Sequence, residues 1–134
     1  MADLKTVRFI DNSVIESRRE HYCDVTVDTE KILESWKKSL YAFEWMRPDG
    51  QIRSCEELPE AEGLRRRNIE DSLEQGVPLE KPVLGIGLLE SVEIGSGRAT
   101  LLTLAALGLD AVPVHIPRSC TKDFAPFLSR SSRS

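Results

Sequence analysis

The chain has 134 residues and a formal net charge of −4, with 40% hydrophobic and 30% charged residues. This length fits one compact domain, whose core can form without metal or disulfide. The acidic total argues against a uniformly basic nucleic-acid-binding surface. No apolar run approaches the roughly 20 residues of a membrane span. The cysteines are three and widely spaced, which argues against a disulfide framework or a zinc site. Because the first residues form no apolar signal segment, we expect a cytoplasmic protein.

The first third of the chain carries two strand signals and one helix signal. Thr6–Ile10 and Tyr22–Val27 alternate polar and apolar residues, which predicts short strands. The charged stretch between them, Glu16–His21, is predicted to be exposed. Asp28 is a suitable N-cap for a helix that ends before Pro48. The apolar stripe of that helix consists of Ile32, Leu33, Trp36, Leu40 and Phe43.

The end of this helix admits a second interpretation. In it, Tyr41–Trp45 begins a strand that is hairpinned to Gln51–Arg53 through a turn at Pro48–Gly50. A second helix is predicted over Leu58–Gln75, with Gly76 as its C-terminal cap. The residues of this helix that can face the core are Leu64, Ile69 and Leu73.

The last third predicts a compact strand and helix unit. Val83–Gly87 and Glu90–Ile94 are predicted strands, Arg98–Leu107 a helix, and Ala111–Ile116 a returning strand. Pro113 within the last strand favours an edge position or a bulge, because proline cannot donate to a sheet.

These elements predict an α+β fold, a small mixed sheet with helices packed against it. A single domain is expected over residues 1–128. The serine- and arginine-rich residues 129–134 are expected to form a disordered tail.

The loop Gly95–Arg98 is the candidate site for chemistry. A strand that stops at Gly-x-Gly and feeds a helix exposes backbone N–H groups where the helix dipole is positive. Arg98 adds a fork of donors suited to phosphate, and Ser96 and Thr100 add hydroxyls. The pattern fits an anion cradle, or a tight turn in which Arg98 pairs with Glu93. It is neither a Walker A motif nor the dinucleotide fingerprint.

The sequence around this loop resembles the ParB/sulfiredoxin (ParB/Srx) superfamily. In that family a strand enters a GxxR loop, an Ala- and Leu-rich helix ends at Leu-Gly, and the chain returns as a strand reading IPV or VPV. The matching segments are Gly95–Arg98, Leu104–Gly108 and Val112–Val114. Gly76 and Pro82–Leu84 match the family's approach to the loop, so the resemblance covers about half the chain.

The resemblance implies a nucleotide-phosphate site that takes ATP or CTP, with Mg²⁺. Members of the superfamily include CTP-dependent partition proteins, ATP-using sulfiredoxins and small plasmid fertility-inhibition proteins of the Osa type. The chain resembles the last group most, because its loop lacks both the sulfiredoxin cysteine and the doubly basic GERR of partition proteins. The residues expected to hold the phosphates are Gly95, Ser96, Gly97, Arg98 and Thr100.

The implied mechanism gives catalytic roles to Arg98 and Glu93. Arg98 would offset charge that develops at phosphorus, while Glu93 would hold Mg²⁺. Glu93 as a solvated or Arg98-paired residue is the alternative. The reaction implied is metal-assisted hydrolysis of ATP, or cleavage of DNA, in a plasmid-associated protein that interferes with conjugative DNA transfer. The expected partners are a nucleotide, DNA and a protein of a conjugation or secretion system.

Arg65, Arg66 and Arg67 form a candidate patch for the DNA backbone. The alternative is a solvated helix surface with i,i+4 partners, such as Arg66 with Glu70 and Arg67 with Asp71.

Two further alternatives concern function. His115 on the last strand is either a strand histidine on a polar face or, if the strand end lies beside the glycine loop, a proton carrier. The whole protein is either the nucleotide-dependent protein described above or a non-catalytic inhibitor or immunity-type module. In the second case the same fold serves as a scaffold that binds a protein.

Overall fold

A computed structural model describes residues 7–39, 42–87 and 90–129. They form an α+β fold with a small mixed sheet, as predicted. The strands are β1 Phe9–Ile10, β2 Tyr22–Asp28, β3 Leu79–Glu80, β4 Val83–Ile86, β5 Val92–Ser96 and β6 Ala111–Pro117. The helices are α1 Thr29–Trp36, α2 Glu60–Gln75, α3 Arg98–Ala106 and α4 Thr121–Phe124, with short 3₁₀ turns between elements. No described helix is long and apolar enough to cross a membrane.

The main sheet has four strands in the order β2-β6-β4-β5. β2 and β6 pair antiparallel along their whole length, from Tyr22 opposite Pro117 to Asp28 opposite Ala111. β4 is antiparallel to β5 and parallel to β6. β1 and β3 form a separate parallel pair. This order brings the end of β5, where the glycine loop begins, close to the C-terminal half of β6.

One face of the sheet carries the hydrophobic core. The helices pack there, and the fully buried side chains include Val27, Ile32, Trp36, Leu101, Leu102, Leu104, Val112, Val114 and Ile116. The opposite face of β2 is contacted by the 3₁₀ helix Ser13–His21, whose Ile15 is buried. The predicted charged stretch Glu16–His21 is exposed throughout, as predicted, while Ile15 just before it is buried against the sheet.

The predicted caps of the first two helices are confirmed. The Asp28 side chain accepts a hydrogen bond from the Lys31 N–H at 3.1 Å, and Gly76 ends α2 in the left-handed region with φ 71°. α1 ends earlier than predicted, at Trp36, where the Ser35 hydroxyl accepts the Val92 N–H of β5 at 2.9 Å.

The predicted stripe of α1 therefore does not continue as helix. Phe43 lies in a 3₁₀ turn and is 66% exposed, while residues 40 and 41 lie outside the described ranges. The alternative hairpin is present only as a single antiparallel bridge between Met46 and Ile52, around the predicted turn.

Two predictions were wrong, one about the exposure of Leu64 and one about the position of Pro113 in the sheet. Leu64 is 57% exposed, because the inward position of α2 belongs to Glu62, two residues and therefore about 200° earlier on the helix. The Glu62 carboxylate accepts the Trp45 indole N–H at 3.1 Å. Pro113 lies on an interior strand, without the predicted edge position.

Pro113 is tolerated there because β4 does not extend that far. The His115 N–H donates to the Pro82 carbonyl at 2.9 Å, just before β4 begins at Val83. N–H groups two residues apart on a strand point to the same side, so the missing donor of Pro113 faces a position before β4 begins.

Of the predicted tail, the structure describes Ser129, which is buried and donates its N–H to the Thr26 carbonyl. Residues 130–134 of the predicted tail lie outside the described ranges.

Candidate functional site

The predicted glycine loop begins with a β-bulge. Leu84 pairs with Ile94, but the preceding residue of β4, Val83, pairs with Ser96, so Gly95 is the extra residue. The bulge interrupts the alternation of β5. It turns the Ser96 side chain to the sheet face opposite the core.

Gly97 then makes the turn into α3. Its φ is +81°, and a Cβ there would lie 2.9 Å from the Cα of Pro82, so only glycine fits without displacement. No side chain caps the helix. The Leu101 N–H donates to the Gly97 carbonyl, so the N–H groups of the turn before Leu101 point out of the helix end. That end carries the positive pole of the helix dipole and suits an anion.

The other predicted site residues surround this helix end in different environments. Arg98 is half-buried. Thr100 is only 8% exposed, so the group it can offer an anion is its backbone N–H. Glu93 accepts a hydrogen bond from the Ser39 hydroxyl at 3.3 Å. Among the described residues Glu93 is not part of a group of three metal-ligand side chains.

A shallow pocket of about 240 Å³ lies beside the loop. Its lining includes Tyr22, Val83, Gly85, Glu93, Gly95 and Pro117. Glu93 and Gly95 therefore border the same depression.

A row of paired residues crosses the sheet from this loop. Ser96 pairs with Val83, Val83 with His115, and His115 with Asp24. Directly opposite residues share a sheet face, so Ser96, His115 and Asp24 lie on one face. The structure therefore places the end of β6 near the glycine loop. This is the arrangement in which a role for His115 at the site was predicted as an alternative.

His115 has no exposed surface and uses both ring nitrogens. Nδ1 lies 2.6 Å from Asp24 Oδ1, and Nε2 lies 3.1 Å from the backbone nitrogen of Asn12. A carboxylate accepts and a backbone N–H donates, so these partners assign the neutral tautomer with its proton on Nδ1. Because its only lone pair on nitrogen is already engaged, His115 is not a proton carrier in this state.

Asn12 connects His115 to the glycine loop. It is 2% exposed, and its Nδ2 donates to Ser96 Oγ at 3.2 Å and to the Lys81 carbonyl at 2.9 Å. Its Oδ1 accepts the Val14 N–H at 2.9 Å and so caps the 3₁₀ helix. The backbone N–H and the Nδ2 of Asn12 thus hold separate segments together.

Lys81 lies between two carboxylates at the rim of this face. Its Nζ is 3.1 Å from Asp24 Oδ2 and 3.4 Å from Asp11 Oδ1. Partial burial raises the pKa of Asp24, but hydrogen bonds from Lys81 and His115 outweigh it and leave that pKa below its ordinary value. A hydrogen bond from Arg19 lowers the pKa of Asp11 in the same way. Both carboxylates are therefore held ionised.

Asp11, Asp24 and His115 are also the kinds of side chain that bind a divalent cation. Each offers a ligand atom, and these atoms lie within 4.8 Å of one another. In this structure, however, the ammonium group of Lys81 contacts both carboxylates and Asn12 occupies His115 Nε2. A metal ion would have to displace both. The cluster is thus an ion-pair network built around lysine.

The predicted arginine patch lies on α2 and is divided between environments. Arg66 is half-buried, donates to the Arg53 carbonyl at 2.9 Å and lies 4.0 Å from Glu70, the i,i+4 partner expected in the alternative interpretation. Arg65 pairs with Glu62 at 3.2 Å, and Arg67 is exposed. The three do not form one face.

The sequence reading missed the cluster of Asp11, Asn12, Asp24, Lys81 and His115. Its members come from four separate parts of the chain, so no local spacing joins them. The local signals are weak: Asp11-Asn12 is typical of a turn, and Asp24 is one polar position of an alternating strand. Pairing Tyr22–Asp28 with the last strand would have placed Asp24 opposite His115.

Comparison with protein-family models, curated proteins and solved structures finds no match to this chain. The resemblance to the ParB/Srx superfamily therefore rests on the sequence motifs alone.

Proposed function

We propose that this protein binds the phosphate groups of a nucleotide, ATP or CTP, at the loop formed by Gly95, Ser96, Gly97, Arg98 and Thr100. The observation that carries the proposal is the passage of β5 into α3 through Gly97, with no side chain capping the helix. Backbone N–H groups at such an end provide donors and a positive potential without added side chains. Arg98 at the first position adds a cation that cannot lose its proton.

A bound nucleotide would use the depression beside the loop. Its phosphates would lie at α3, and Glu93, which lines the pocket of about 240 Å³, would hold Mg²⁺ bound to them. The likeness to plasmid proteins of the Osa type extends the proposal to a ParB/Srx-like protein that interferes with conjugative DNA transfer.

Binding is the activity that we propose first, and hydrolysis of ATP or cleavage of DNA second. Hydrolysis needs a group that activates water. His115 is fully buried with both nitrogens engaged, and Lys81 contacts two carboxylates. Arg98 and Glu93 would serve such a reaction by holding phosphate and metal.

Isothermal titration calorimetry with ATP, CTP and inorganic pyrophosphate, each with Mg²⁺, tests the proposal. Wild type is expected to bind at least one of them, and Arg98→Ala to weaken that binding roughly tenfold or more, as expected for a lost hydrogen bond to a charged group. Lys122→Ala is the matched control, since Lys122 is an exposed cation on α4. No heat with any probe, or equal affinity of wild type and Arg98→Ala, would refute the proposal.

The second candidate is a protein-binding module that uses this fold as a scaffold. It is favoured by Phe43, which is 66% exposed beside Arg47 and Arg53 at a groove of about 460 Å³. Exposed aromatic residues next to arginine are typical of protein interfaces. In this case Arg98→Ala should leave biological activity intact, whereas substitution of Phe43 or of the surface around Arg65–Arg67 should abolish it.

A further inference from the structure

The contact between Asn12 and Ser96 fixes how the Ser96 hydroxyl can act. Asn12 Nδ2 is the donor in this 3.2 Å contact, because Oδ1 of the same amide is occupied by the Val14 N–H. Ser96 Oγ therefore accepts. A hydroxyl carries one proton to donate, and no acceptor for that proton is found among the residues that the structure describes.

Asn12 is itself held firmly. It is 2% exposed, its N–H donates to His115 Nε2 at 3.1 Å, and its amide also donates to the Lys81 carbonyl at 2.9 Å. His115 is fixed in turn by Asp24. The donor that faces Ser96 thus cannot rotate away without breaking other buried hydrogen bonds, each of which is costly to leave unmade.

We propose that Asn12 is a positioning residue for the anion site: by donating to one lone pair of Ser96 Oγ it orients the Ser96 hydroxyl so that its proton is directed toward bound phosphate. This inference rests on the proposed nucleotide-phosphate function. Ser96 immediately precedes Gly97, so its hydroxyl belongs to the same loop as the N–H groups of α3. A hydroxyl proton directed in this way suits a ligand whose oxygens accept, such as ionised phosphate or pyrophosphate.

The two residues should therefore be coupled in binding. Ser96→Ala removes the hydroxyl donor and is expected to weaken the affinity for inorganic pyrophosphate roughly tenfold. Asn12→Ala leaves the hydroxyl free to rotate and is expected to weaken it several-fold. In the double variant, the Asn12 substitution is expected to add nothing to the effect of Ser96→Ala, because the group through which it acts is gone.

A conservative variant separates positioning from general loss of structure. Ser96→Thr keeps a hydroxyl, so Asn12→Ala is expected to weaken pyrophosphate binding in that background as it does in wild type. Asn12→Asp retains the acceptor for the Val14 N–H but offers Ser96 an acceptor oxygen in place of a donor. This variant is therefore expected to bind pyrophosphate more weakly than Asn12→Ala does. Circular dichroism and thermal melting identify variants that are folded at the temperature of titration.

The possible results of these titrations distinguish failure of the positioning role of Asn12 from failure of the proposed phosphate binding. Wild type that does not bind pyrophosphate overturns both the positioning role and the function on which it rests. Wild type that binds, with Asn12→Ala and Ser96→Ala effects that multiply in the double variant, overturns the positioning role alone. Unchanged affinity in Asn12→Ala has the same consequence.

Discussion

His115 Nε2 accepts the backbone N–H of Asn12 at 3.1 Å, joining the last strand to the start of the 3₁₀ helix that covers the sheet. These residues are far apart in sequence and both are almost completely buried. The bond fixes the tautomer of the histidine and the position of the asparagine next to the glycine loop. This contact therefore links the stability of the fold to the candidate site.

Loss of His115 should be costly for stability. His115→Ala leaves a cavity and removes the partner of the Asn12 N–H and one of the partners of Asp24, and it is expected to lower the free energy of unfolding by about 3 kcal/mol. Urea denaturation measures this change. The matched control is His21→Ala, because the His21 side chain is 69% exposed; its effect is expected to stay within about 0.5 kcal/mol. Equal effects of the two substitutions would contradict the structural role that we assign to the buried His115.

Lys81 is expected to act as the cation of the charged cluster. Lys81→Met leaves Asp11 and Asp24 facing each other, so the free energy of unfolding should fall by about 2 kcal/mol, while Lys122→Met should have little effect. Mn²⁺ should raise the melting temperature of Lys81→Met, since carboxylates released by the lysine can bind it. If Mn²⁺ raises the melting temperature of wild type equally, the cluster binds metal without displacement of Lys81.

The pH dependence of stability should reveal the Glu57 carboxylate. A hydrogen bond from Arg47, with further hydrogen bonds from Ser54, lowers the pKa of Glu57 to about 2 from an ordinary value of 4.5. Its contribution to stability is therefore complete above about pH 4.5 and is lost as the pH falls toward 2. Glu57→Gln should flatten the acid arm of the stability curve over this range. Glu74→Gln, at an exposed carboxylate of α2, should leave it unchanged, and a similar flattening there would argue against this assignment.

Gly97 and Gly108 offer a matched comparison of backbone strain. Both have positive φ, at +81° and +96°, but only at Gly97 would a Cβ contact another backbone atom, 2.9 Å away in Pro82. Gly108→Ala should destabilise the protein by about 1 kcal/mol through strain alone, and Gly97→Ala by about 3 kcal/mol. Thermal melting measures both. A Gly97→Ala effect no larger than that of Gly108→Ala would show that the loop relaxes around the new methyl group.

Local patterns in the sequence predicted most of the elements because their signals are local. Alternation located β2 and β6, and Asp28 and Gly76 marked the predicted ends of helices. The predicted extension of the first helix through Phe43 was wrong, because helical spacing alone does not show where a helix must end in order to pack. The hydroxyl of Ser35, which accepts the Val92 N–H of β5 where α1 ends, is a tertiary contact without a local signal.

The candidate site was predictable only in part for the same reason. Gly-x-Gly before a helix is a local signal, and the loop lies where it was expected. The bulge at Gly95, which turns Ser96 toward Asn12, depends on the register between β4 and β5. That register is decided by packing across the sheet. The row from Ser96 to Asp24 therefore becomes visible only once the strands are paired.

The most direct measurement of phosphate binding at the loop is a titration of ¹⁵N-labelled protein with inorganic pyrophosphate, followed by amide chemical shifts. Saturable changes are predicted to be largest at the amides of Gly97, Arg98, Ala99 and Thr100, where the uncapped end of α3 lies. Shifts that stay unchanged throughout, or that change most at Arg65–Arg67, would contradict a phosphate site at the glycine loop.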